Sequence, residues 1–250
     1  MTTVPLLLLA GGAAVVQTPL WLDLLTVALA GVTGALLGVS LRFDIVGVTA
    51  LAFLTGLGGG IIRDLLLGQV PVAIRGNDYV IAAVVAAGVG FFFARWVQRF
   101  SWVLNWMDAA SLGLFGVIGT NKALANGISV APAILVGLVT AVGGGALRDV
   151  FTGQPPEIFR PGQLRALAVL GGVLVFVGLD RLDVRLGVST AVAMIVTFAL
   201  RMAALKLGWT TPTAIDAPRV ARQQARLHAR RLDRLRGRER GGREDRGGDR

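Results

Sequence analysis

Gly58-Gly59-Gly60-Ile61-Ile62-Arg63-Asp64 recurs as Gly143-Gly144-Gly145-Ala146-Leu147-Arg148-Asp149, at an offset of 85 residues. The same offset maps Gly68-Gln69 onto Gly153-Gln154, Pro71 onto Pro156 and Arg75 onto Arg160. Upstream it maps Trp21 onto Trp106, Asp23 onto Asp108, Gly31 onto Gly116 and Gly34 onto Gly119. Chance does not give so many gap-free matches, so the chain is an internal duplication. Each copy holds three long apolar segments, and an odd number of spans places the second copy upside down in a membrane. Many transport proteins are built from such inverted repeats.

The composition requires a membrane. Of 250 residues, 54% are hydrophobic and 16% charged, and the mean hydropathy is +0.68. A soluble domain of this length needs more charge to cover its surface. Seven apolar segments are predicted as spans, at 20–39, 45–66, 78–97, 103–122, 129–151, 163–180 and 187–206. The fold expected is all-α and polytopic: two inverted three-helix repeats plus a seventh helix. Its parts are a lead-in over 1–19, the first repeat over 20–102, the second over 103–186, the seventh helix over 187–210 and a basic tail over 211–250. The apolar stretch Val4 to Val16 lacks the preceding positive charge of a signal peptide. It is also too short to span a bilayer, so it is read as lying at the membrane surface. Trp96, Trp102 and Trp106 cluster where the third segment meets the fourth, as an interfacial belt does. Residues 217–250 hold 12 Arg and five acids, which makes the tail the main source of the net charge of +10. The richer Lys/Arg side is cytoplasmic by the positive-inside rule. That places the N-terminus outside and the tail inside, in a cell (inner) membrane.

The motif supplies the candidate site. Three successive glycines weaken a helix by about 1 kcal/mol each relative to alanine. Gly58, Gly59, Gly60 and Gly143, Gly144, Gly145 are therefore expected to bend two spans, one from each side, around a shared path. The alternative is that they allow tight helix crossing. Gly31, Gly34, Gly113, Gly116 and Gly119 are read as small-residue surfaces for contact between protomers. Arg63, Asp64, Arg148 and Asp149 cost about 2.5–3.5 kcal/mol each at a bilayer centre. They either line a pore mouth or end their spans at the headgroups. Lys122 either snorkels to the interface or stands in a water path as a gating charge. Asp23 and Asp108 are repeat-related carboxylates near span starts, where a helix N-terminus favours an acid.

Other chemistries find no residues. There is no cysteine and one histidine, His228, in the tail. A Ser-His-Asp set or a His/Cys metal site is thus not expected, and neither is a cofactor. The glycine runs lack the Gly-Lys-Ser/Thr ending of a phosphate loop. The tail is read as a topology-fixing segment with affinity for anionic lipid, and no nucleic-acid partner is expected.

Duplicated GGGxxRDxxxGxxP motifs in a seven-span chain resemble the prokaryotic TRIC family, the trimeric intracellular cation channels, also catalogued as a glycine-transporter-like family. The resemblance covers residues 20–206, with Trp21-Leu22-Asp23, Asp108, Gly119 and Lys122-Ala123-Leu124 among its marks. It implies a homotrimer with a pore in each protomer, passing K+ or Na+, with the glycine runs as kinks and Lys122 as the lysine linked to gating. Animal relatives carry a lysine-containing motif where this chain has Gly60 to Asp64, so their regulation is not carried over. The rival expectation is a carrier for glycine or another small amino acid. A membrane scaffold without transport leaves the duplicated charges unexplained.

Overall fold

The computed structural model describes residues 19–99, 101–159 and 164–208, and all its regular elements there are helices. The seven long ones are α1 (Leu20–Ser40), α2 (Ile45–Leu66), α3 (Asn77–Gln98), α4 (Ser101–Ala125), α5 (Val130–Phe151), α6 (Arg165–Asp180) and α7 (Leu186–Leu207). Six are long and apolar enough to cross a membrane. The exception, α6, has 16 residues, about 24 Å of helix. The lead-in and the Arg-rich tail lie outside the described residues, as does Arg160.

Local chemistry sets the ends. Asp44 caps α2 by accepting a 2.8 Å hydrogen bond from the Gly47 amide. At the other end of α2, Gly68 has φ +65°. Its amide donates to Leu65 O, and the Gln69 amide donates to Asp64 O. This is the Schellman closure, which wants glycine because a side chain opposes positive φ. The second copy repeats it: Gly153 has φ +69°, and the Gln154 amide donates to Asp149 O. The Gly-Gln dipeptide after each Arg-Asp is therefore a helix stop.

Side-chain meetings prove the inversion. Asp23 at the start of α1 meets Tyr79 at the start of α3 and Arg63 at the end of α2. Asp64 also meets Lys122 at the end of α4. These ends share one face of the bundle, here called the N-end face. Their duplicates, Asp108 and Arg148, line one cavity at the opposite face with Ser40 from the end of α1 and Arg201 from the end of α7. That is the C-end face. Aromatic belts follow the same inversion. Trp21 is exposed toward one end of α1, while Trp102 and Trp106 stack edge to face, 5.1 Å apart, at the other face.

The two copies meet where α2 crosses α5. A Cβ on Gly59 would strike the Thr140 carbonyl oxygen and stand 3.5 Å from the Gly144 nitrogen. A Cβ on Gly144 would strike the Thr55 carbonyl oxygen and stand 3.4 Å from the Gly59 nitrogen. Thr55 and Thr140 are themselves repeat mates, so the contact is reciprocal. Both helices run through their glycine runs without interruption. The expectation of bent spans narrows to a tight crossing: the glycines bring two backbones into contact, and the i to i−4 ladder continues through both runs. Within each copy the same device recurs. Gly34 of α1 faces Thr55, and Gly119 of α4 faces Thr140. Each threonine hydroxyl donates back to its own helix, at Leu51 O and Val136 O, so the oxygen that lies against the glycine is not an unmet donor.

The surfaces expected to join protomers are corrected too. Gly31 packs on Ala86, Gly113 on Met194 and Thr197, and Gly116 on Val169 and Val173. With Gly34 and Gly119 these glycines are spent inside one chain. Lipid offers no hydrophobic drive for helix contact, so close van der Waals packing must hold each protomer together first.

The crossing makes a sharp forecast within a single motif. Gly59→Ala and Gly144→Ala should lower the thermal unfolding temperature of purified protein, by an overpacking cost of about 1–3 kcal/mol. Gly60 and Gly145 have only the tips of Arg63 and Arg148 near a Cβ, at 3.8 and 4.0 Å. Gly60→Ala and Gly145→Ala should be neutral or stabilising. Equal damage at all four positions would refute the crossing contact.

Candidate functional site

Two clusters of buried charge stand at opposite faces, each built around an Arg-Asp pair in the last turn of a central helix. At the N-end face, Asp64 Oδ1 accepts from Arg63 Nε at 2.8 Å and from Lys122 Nζ at 2.7 Å. Its Oδ2 accepts from the Val72 amide at 2.8 Å, in the 3-10 turn Val72–Ile74. Asp64 is fully buried and Arg63 is 1% exposed. The Schellman stop turns the chain back so that Val72 comes over the carboxylate, which ties the loop to its own helix. Arg63 Nη1 lies 3.9 Å from Asp23 Oδ1, and Asp23 Oδ2 accepts from the Tyr79 hydroxyl at 2.8 Å. Above them, Gln69 donates to Asn126 at 2.5 Å, joining the ends of α2 and α4.

At the C-end face, Asp149 Oδ1 accepts from Arg148 Nε at 2.9 Å and Nη2 at 2.7 Å. Its Oδ2 accepts from the Glu157 amide at 3.0 Å, as Asp64 does from Val72. Beyond that the copies differ. The position matching Lys122 is Leu37, so α1 offers no cation here. Instead Arg165, in the first turn of α6, bridges Asp108 and Glu157. Arg201 of α7 places Nη2 3.8 Å from Asp108 Oδ2.

The charges balance in place. Asp23 and Asp64 oppose Arg63 and Lys122 at one face. Asp108, Asp149 and Glu157 oppose Arg148, Arg165 and Arg201 at the other. Buried charges are tolerated when paired in this way and costly when one partner is lost. Among the described residues no group of three or more carboxylate or imidazole ligands gathers for a metal.

Cavities open beside both clusters. One of about 350 Å³ at the N-end face is lined by Asp23, Gln69, Arg75, Tyr79 and Lys122. One of about 300 Å³ at the C-end face is lined by Asp108, Arg148, Glu157, Arg165 and Arg201. The second continues into a cleft of about 30 Å³, lined by Thr33, Thr55, Ser111 and Gly145. That cleft ends against the α2/α5 crossing.

The sequence-derived residues therefore fall into three sets. The six glycines gather at or beside the crossing. Arg63, Asp64, Lys122 and Asp23 form one cluster, and Arg148, Asp149 and Asp108 belong to the other. Two expectations are revised. Lys122 does not snorkel: its side chain is 21% exposed and turns inward to Asp64, a stronger partner than the interface. Asp108 sits in the third turn of α4, so the helix terminus does not stabilise it, whereas Arg165 does. Sequence reasoning missed Tyr79, Glu157, Arg165 and Arg201. Arg165 and Arg201 each fall within a predicted span, 163–180 and 187–206, and an arginine within an otherwise apolar span is the signal that could have found them.

The model of a family described as "Glycine transporter" matches residues 20–95 and 105–181. The UPF0126 inner membrane protein YadS of Escherichia coli is 33% identical over 199 residues, 78% of this chain and 96% of that protein. A UPF0126 membrane protein of Deinococcus radiodurans is 39% identical over 154 residues, 61% of this chain and 72% of its own. Among solved structures, the TRIC trimeric intracellular cation channel orthologue from Rhodobacter sphaeroides superposes with a TM-score of 0.71 at 37% identity. The match covers 76% of this chain and 97% of that one. A second structure, described as a basis for conductance through TRIC cation channels, gives 0.71 at 32% identity, over 77% and 95%.

Removing one side chain at a time should rank the N-end partners. Asp64→Asn strands two cations and should cost about 3–5 kcal/mol, the usual loss on breaking a buried pair. Lys122→Gln leaves Asp64 held by Arg63 and Val72 and should cost less. Thermal melts of the two purified variants check the order, and a larger loss in Lys122→Gln would contradict it.

Proposed function

The chain belongs to the glycine-transporter family of membrane proteins, with the prokaryotic TRIC channels as its solved relatives, and on that premise we propose that it is a channel for monovalent cations. The observation that carries the reading is a pair of polar cavities at opposite faces, of which the C-end one reaches the Gly59–Gly144 crossing through the cleft at Thr55 and Gly145. As described, the crossing is shut, because two backbones touch there. Separation of α2 from α5 extends the C-end cavity past the crossing toward the N-end face. It also bares the carbonyl oxygens of Thr55 and Thr140, which the facing glycines now cover. Carbonyl oxygens replace the hydration shell of K+ or Na+. No side-chain carboxylate stands at the crossing, which fits a weakly bound and rapidly passed ion.

By analogy with the trimeric intracellular cation channel orthologue from Rhodobacter sphaeroides, the protein is a homotrimer, with one path per protomer. In this reading the N-end face is the outer one and the C-end face the cytoplasmic one, the assignment that the excess of Lys and Arg on the C-end side favours. The Arg-rich tail then meets the anionic inner leaflet. A second reading, uptake of glycine, is favoured by the name of the family. A carrier would open the two cavities alternately and never together.

Reconstitution into planar bilayers tests the choice. The expected result is unitary current steps in symmetric KCl, with three copies per particle in native mass measurement from lipid discs. Saturable glycine uptake by proteoliposomes, without resolvable steps, would overturn the channel in favour of the carrier.

A further inference from the structure

The duplication makes each copy a control for the other, and Glu157 is where the control fails. Its backbone amide holds Asp149, as the amide of its mate Val72 holds Asp64. Valine does that work at the N-end face, so the anchoring needs no carboxylate. Arg165 is likewise matched by an apolar residue, Val80. The Glu157–Arg165 pair is thus an addition to the C-end face beyond what the fold demands.

Its setting indicates its use. Three guanidinium groups, of Arg148, Arg165 and Arg201, line the C-end cavity. Arg148 is matched by Asp149, whose side chain is only 5% exposed. The carboxylates within reach of an entering hydrated ion are Asp108, 20% exposed, and Glu157, 27% exposed. Removal of either leaves this mouth positive, and a positive mouth repels cations and gathers anions.

We propose that Glu157 is a charge-selecting residue of the C-end mouth, presenting a carboxylate to the permeant cation, and that Arg165 is the counter-charge that attenuates it. This rests on the channel reading given above. The N-end mouth has no counterpart of the pair, so the selecting device acts at one face only.

The test is single-channel recording of wild type, Glu157→Gln and Arg165→Gln at low and high KCl, with reversal potentials under a KCl gradient. Glu157→Gln should reduce K+ conductance about three-fold at 0.05 M KCl and far less at 1 M, where the Debye length shrinks to about 3 Å. Its reversal potential should shift toward that of Cl−. Arg165→Gln should raise the low-salt conductance. Glu157→Val, which copies the N-end sequence, should fold with a somewhat lower melting temperature, because Arg165 then keeps Asp108 alone as its partner, and should conduct as Glu157→Gln does. Loss of conductance that is equal at both salt levels, or a Glu157→Gln channel like wild type at low salt, would overturn the proposal while leaving the channel reading intact. A wild-type protein without currents would overturn both.

Discussion

Everything in this molecule is arranged around two peptide backbones that touch inside a membrane. Gly59 and Gly144 let α2 and α5 approach until the carbonyl oxygens of Thr140 and Thr55 cover the facing glycines. Close approach is the currency of helix association in lipid, where burying apolar side chains gains nothing. The contact is also the seam between the two inverted copies. A crossing that lies on a pseudo-two-fold axis must satisfy the same geometry twice with the same residues, which explains why the glycine runs match without a gap. The remaining helices are hung on this pair. α1 packs on α2 and α3, and α4 on α5, α6 and α7, each through its own glycines.

The second constraint is electrical. A charged residue in a span needs a partner, and here each Arg is followed by its Asp. That carboxylate is then shared out: an arginine on one oxygen, a loop amide on the other. The recurring string of Arg-Asp, glycine, glutamine and proline therefore has a mechanical meaning. Glycine reverses the chain, proline begins the 3-10 turn, and the turn returns an amide to the aspartate. What varies between the copies is the extra cation, Lys122 at one face and Arg165 with Arg201 at the other.

Much of this architecture was legible beforehand, because lipid allows few alternatives. The span limits fell within a few residues of α1 to α7, since hydropathy measures the property that lipid selects. The repeat gave the inversion by parity alone. The action of the glycines was not legible. Propensity argues that Gly58 to Gly60 weaken α2, yet a helix packed on all sides keeps its ladder, and tertiary contact decided the outcome. Partner choice was hidden for a similar reason. Lys122 and Asp64 are 58 residues apart, and no local pattern tells a snorkelling lysine from one that turns inward. Nor does sequence separate a glycine facing a neighbouring helix from one facing another protomer, as Gly31 and Gly116 show.

The adjacency of Arg63 and Asp64 bears on how the chain enters the bilayer. During synthesis α2 must partition before α4 exists, so Lys122 is absent and Asp64 has no distant cation to meet. α5, with the other half of the crossing, comes later still. A guanidinium bonded to the next residue in its own helix makes that helix nearly neutral from the outset. The insertion machinery then handles a dipole rather than two ions, and the same holds for Arg148 and Asp149 as α5 arrives from the opposite side. A partner carried on the same helix is available whatever the order of assembly.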